Sequence, residues 1–183
     1  METIAPKESA SRSMPADRIH FKQRWGRACC QFEMNGVVVP VTCPIACSPD
    51  RGTQFEFQLP GGDSVVATID NPPATTICVN ETPAAVITPV MSLSQQRFGH
   101  RPYPLQVAEV AYGGEAWPLV GTVYCGWAMN HFRVLTESGA RACYWKKTAL
   151  WGRGGATLLV SRRVDRCFLA VAISATVTSM LPE

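Results

Sequence analysis

Apolar residues fall in runs of about five to eight, broken at short intervals by Gly and Pro; runs of that length suit strands rather than core-facing helices. Residues 53–59 alternate strictly, with Phe55, Phe57 and Leu59 on one side and Gln54, Glu56 and Gln58 on the other. That pattern predicts a strand with one wet face. Asn35-Gly36 separates residues 28–34 from 37–43, and this pair accepts the positive φ angles of a tight hairpin turn. Pro40 has no N–H to give to a ladder, which places the second strand of the hairpin at an edge or a bulge.

The same reading predicts strands over 64–69, 75–79, 84–91, 105–112, 119–125, 132–135, 140–145 and 156–160, with Glu137-Ser138-Gly139 as a further hairpin connection. No amphipathic helical run of convincing length is present, although the C-terminal segment has room for a turn or two. The expected fold is all-β: a single-domain sandwich or barrel of short antiparallel strands over 18–183. Residues 1–17 carry Pro6, Pro15 and mixed charges without apolar periodicity and read as a disordered tail. Val39-Pro40-Val41, Ser48-Pro49-Asp50-Arg51-Gly52 and Leu59-Pro60-Gly61-Gly62 resemble a β-meander phrasing that the substrate-binding domains of some co-chaperones also use, and the resemblance identifies no family.

Composition adjusts this picture in three respects. Charged residues make up only 17% of the 183 residues against 46% hydrophobic, so the surface is sparsely charged and apolar patches are expected to become interfaces. The net charge of +3 is too small to imply a polyanion partner by itself. Residues 167–181 form a nearly apolar run behind Arg162, Arg163 and Arg166, the flank of a tail anchor. The run nevertheless falls short of the roughly 20 residues a spanning helix needs and contains Ser174, Thr176, Thr178 and Ser179, so a buried strand or short core helix is expected and no membrane. No secretory signal precedes the eight Cys, which are expected to stay reduced in an intracellular setting, cytoplasmic or nuclear.

Candidate chemistry is sparse. Cys29, Cys30, Cys43 and Cys47 fall close enough for a hairpin to gather four thiolates around zinc, but adjacent Cys29 and Cys30 would point to opposite faces of a strand. No thiol has an activating neighbour in sequence, and Gly152-Arg153-Gly154-Gly155 lacks the Lys-Ser/Thr ending of a phosphate-binding loop. No cofactor is therefore expected, and the residues carry no catalytic signature. Arg18, Lys22, Arg24, Trp25 and Arg27 combine cations with a ring and could meet nucleic acid or another polyanion; the same alternation describes a plain solvated strand. Phe98, His100 and Tyr103 in a Pro-rich stretch, and Trp145 with Lys146 and Lys147, are aromatics beside cations, the residue types that anchor interfaces. The sequence thus points first to a non-catalytic protein-binding or assembly module, with itself or a larger complex as partner, and second to polyanion binding.

Overall fold

The computed structural model describes residues 16–23, 28–43, 53–70, 74–90, 103–124, 128–148 and 154–180. They form twelve strands: β1 (Ala16–Gln23), β2 (Ala28–Met34), β3 (Val37–Thr42), β4 (Thr53–Gln58), β5 (Ser64–Ile69), β6 (Thr75–Val79), β7 (Thr82–Pro89), β8 (Tyr103–Tyr112), β9 (Glu115–Tyr124), β10 (Ala128–Leu135), β11 (Arg141–Thr148) and β12 (Gly155–Ser161). A helix, α1 (Arg166–Met180), follows them. Each strand pairs antiparallel with its sequence neighbours, and β1 pairs with β12 to close a barrel. The barrel alternative of the expected all-β fold is the one adopted. The β1 ladder begins at Ala16, and Asp17 lies opposite Val160 and bridges Arg162, so Ala16 and Asp17 belong to the barrel rather than to a tail.

Local chemistry accounts for the turns. Asn35 and Gly36 have φ of 52° and 76°, the left-handed values a two-residue hairpin turn requires. Gly61, at φ 111°, is fixed twice over: a Cβ there would run into the Arg166 guanidinium, which donates to the Pro60 carbonyl. By the antiparallel alternation, the β2–β3, β4–β5, β6–β7, β8–β9 and β10–β11 turns share one end of the barrel with the N-terminus of α1.

Inward positions alternate along each strand, among them Ile19 and Phe21, Phe55 and Phe57, Ile77, Val110, Leu158 and Val160, all buried. Twelve strands enclose more space than side chains alone can fill, since about eight strands leave an interior just wide enough for side chains. The helix fills it. α1 packs against β6 and β7 on one wall and β11 and β12 on the opposite one, and Ala170 to Val177 are buried without interruption. Ala170, Ala172, Ser174 and Ala175 keep the helix slender enough to fit.

The helix is fastened at both ends. Asp165 caps its N-terminus by accepting from the Phe168 N–H at 2.7 Å and also accepts from the Tyr112 hydroxyl on β8. Arg166 pairs with Asp63 in the β4–β5 turn. At the far end, Lys147 of β11 donates to the Ser179 carbonyl, placing a cation at the negative end of the helix dipole, and Trp145 Nε1–H donates to Ser179 Oγ. The expectation of a helical turn or two therefore understates a fifteen-residue helix. Buried on every side, it carries no amphipathic stripe to be recognised by. Among the described residues no helix is long and apolar enough to cross a membrane.

Candidate functional site

Among the described residues the shortest ladder in the barrel lies between β3 and β4, where Thr42 and Glu56 form the single registered pair. The ladders on either side, β2–β3 and β4–β5, each hold six pairs. The two-residue turn at Asn35-Gly36 sets the backbone groups of Val37 and Val39 toward β2, leaving those of Val38, Pro40 and Thr42 directed at β4. On β4, the Leu59 N–H donates to the Asp63 carbonyl at 2.8 Å, so by alternation Glu56 and Gln58 direct theirs at β3. Continuing the register from Thr42 and Glu56 would set Pro40 opposite Gln58 and Val38 opposite Pro60. Each of those rungs would lack one donor, because neither proline has an N–H. The Pro60 carbonyl is in addition taken by Arg166.

The strands part accordingly and leave a groove of about 780 Å³ lined by residues 37–40, Thr42, residues 56–62 and Ser64. Val37 and Val38 on its lip are 48% and 53% exposed, among the few large apolar side chains open to solvent. Outward-facing Glu33 on β2 and Glu56 on β4 flank the groove, and both are exposed. Asp63 at its turn end is held below the usual carboxylate range, first by the hydrogen bond from Asn80 and then by Arg166.

A second surface lies across β1, β12, β11 and β10. Arg18, His20 and Lys22 face outward from β1, Lys146 from β11 and His131 and Arg133 from β10, with Arg141 at the end of β11. The outward positions of these four strands hold no carboxylate among the described residues. Lys146 lies directly opposite His131, whose ring is held below the ordinary histidine range by burial first and by that cation second. The Tyr144 hydroxyl meets His131 Nδ1 at 2.8 Å, and the Arg141 guanidinium stands 5.9 Å over the Tyr144 ring. Cations thus gather over β10 to β1, and Glu33 and Glu56 stand by the seam, with Glu33 also directly opposite His20 of β1.

The residues singled out from sequence fare unequally. Arg18 and Lys22 are exposed on the basic face; Arg24, Trp25 and Arg27 lie outside the described residues, as do Phe98 and His100. Tyr103 begins β8, with its backbone alone described. Trp145 is 1% exposed and stacks on Phe132 inside the barrel at 5.1 Å, so it is a core residue and not a surface anchor. Strand alternation sends Lys146 outward and Lys147 inward to the helix end. Neither Val38 nor the Pro40–Gln58 and Val38–Pro60 oppositions were singled out from sequence. Pro40 already marked its strand as an edge, but the pairing partner was not legible.

The cysteines correct two expectations. Cys43 is disulfide-bonded, so the thiols are not all reduced. Cys30 is buried and free, and burial pushes its thiol up to about 12. With Cys43 committed to sulfur and Cys30 in the core, Cys29, Cys30, Cys43 and Cys47 do not make a four-thiolate zinc site. No group of metal-ligating residues occurs among the described residues. Burial likewise pushes Cys143 up to about 12 and raises Cys167, which moves each thiol away from the nucleophilic thiolate.

The chain matches no protein-family model, no curated protein and no solved structure.

Proposed function

We propose that this barrel is a non-catalytic protein-binding module that takes an extended segment of a partner into the β3–β4 seam. The observation that carries the reading is the single registered pair between two strands whose next rungs are blocked by Pro40 and Pro60. A strand that supplies its own N–H groups can donate to seam carbonyls such as that of Gln58, which Pro40 has no N–H to meet, the logic of strand addition at a sheet edge. Val37 and Val38 favour β-branched side chains on the incoming strand, and Glu33 and Glu56 favour Lys or Arg on its outward positions. The partner is a different protein rather than a second copy, because among the described residues every strand outside the seam is paired on both sides.

The test uses a short fluorescent peptide of alternating Val and Lys. Saturable binding should weaken by about tenfold or more in Val38→Asp and Glu56→Lys, and stay unchanged in Lys146→Glu. Pro40→Val, which restores a donor to the seam, should also weaken it by letting β3 and β4 pair. Equal affinity across the wild type and the seam variants, or no binding, overturns the proposal.

A second reading rests on the cations gathered across β1, β11 and β10: binding of nucleic acid or another polyanion to Arg18, Lys22, Arg133 and Lys146. A labelled single-stranded oligonucleotide should then bind with an affinity that falls steeply as salt rises, and Lys22→Glu with Lys146→Glu should flatten that slope. Absence of oligonucleotide affinity at low salt removes this reading.

A further inference from the structure

Between the last turns of α1 and the wall built by β5 to β11 lies a partly open, apolar pocket of about 200 Å³. Ile87, Ala108, Leu119, Phe132, Trp145 and Ala175 form most of its surface, and the stacked Phe132–Trp145 pair makes one side aromatic. Ala108 and Ala175 both line it, and larger side chains at those positions would narrow it. Two of its three hydroxyls are satisfied within α1: Thr178 Oγ1 donates to the Ser174 carbonyl at 2.9 Å, and Ser179 Oγ donates to the Thr176 carbonyl at 2.7 Å while accepting from Trp145.

We infer that this pocket is a binding site for a small uncharged apolar molecule, of the size of one substituted benzene ring. Three features define the class of ligand. The hydroxyls of Thr178 and Ser179 already have partners and only that of Thr75 is added to them, so the pocket offers water few bonds and offers a charged ligand no counter-ion within its lining. Its volume slightly exceeds that of an engineered apolar cavity of roughly 150 Å³ that stays dry and binds benzene. The aromatic wall gives an inserted ring an offset or edge contact. Entry is past the end of α1, where Thr178, Ser179 and Met180 are half-buried while the seven residues before them are buried. The site is separate from the β3–β4 seam and stands or falls independently of it.

The experiment is a titration of the full chain with toluene, followed by methyl NMR and thermal unfolding. Saturable shifts are expected at the methyls of Ile87, Ala108, Leu119 and Ala175, with Ile19 and Val41 on the far wall unmoved, and the unfolding midpoint should climb with toluene concentration. Ala175→Leu fills the void and should weaken toluene binding by tenfold or more; Ala108→Val is the second filling variant should the first not fold. Benzoate, whose charge has no counter-ion in the lining, should bind more weakly than toluene. Methyls that do not move near toluene saturation, shifts that survive both filling variants, or benzoate binding as well as toluene would each overturn the inference.

Discussion

Asp165 holds the helix to the barrel, and its replacement by Ala gives a direct measure of that hold. The carboxylate accepts from the Phe168 N–H at 2.7 Å as the N-cap of α1, and from the Tyr112 hydroxyl of β8 through the same oxygen. Losing an N-cap costs about 1 kcal/mol. The Tyr112 hydroxyl is half-buried and would recover part of its lost bond from water, so its share is roughly another 1 kcal/mol. The sum of about 2 kcal/mol should lower the unfolding midpoint by roughly 4–8 °C in a chain of this length. Asp165→Asn keeps an acceptor at the cap and should lose less, and Tyr112→Phe should lose about half as much as Asp165→Ala. The assay is thermal unfolding of the two single variants and the double. The double variant should be no worse than Asp165→Ala alone by more than a few tenths of a kcal/mol. An unchanged midpoint in Asp165→Ala, or strict additivity in the double variant, would refute the shared-oxygen geometry.

Three shorter predictions come from other parts of the molecule. Ser174 Oγ is buried with no hydrogen-bond partner, so Ser174→Ala should raise stability by about 1 kcal/mol in denaturant unfolding; a loss would mean the hydroxyl is paired. Asp63 has its carboxyl pulled below its ordinary value of 3.8 by Asn80 and Arg166, so its contribution is whole above that pH and fades as pH falls through the lower folded-state value. Stability measured below pH about 4 should therefore drop less steeply in Asn80→Ala than in the wild type, and parallel curves would contradict the coupling. Since Cys43 is disulfide-bonded, the unfolded, unreduced chain should offer no more than six of its eight thiols to an alkylating reagent, whereas eight reactive thiols would exclude the bond.

Strand positions were legible in the chain because a half-buried sheet writes its alternation and its turns locally. Residues 28–34, 64–69 and 75–79 match β2, β5 and β6 at both ends. Beyond local chemistry the record thins. Closure of the barrel depends on pairing residues as far apart as Asp17 and Arg162, 145 positions along the chain, and nothing in either segment names the other. The helix left no stripe because all its faces are inside. Trp145 looked like a surface anchor beside Lys146 and Lys147, yet odd and even positions of one strand face opposite ways, and a bulge between Val134 and Leu135 on the neighbouring strand shifts the register at the start of β11. Half of the seam was visible in Pro40; the other half required knowing that Thr42 pairs with Glu56, a register whose continuation would bring Pro60 across from Val38.

The order of the elements sets a schedule for folding. A chain emerging from the ribosome presents β1 through β11 before β12 exists to close the wall, and α1 is made after that. Until then the growing chain is a curved sheet with two bare edges and a concave apolar face that α1 covers in the finished barrel. Such a species is slow to commit and prone to stick to others like it. Folding of this protein is therefore expected to finish after synthesis of the helix rather than strand by strand, and a nascent chain arrested before Arg166 should be a client for chaperones.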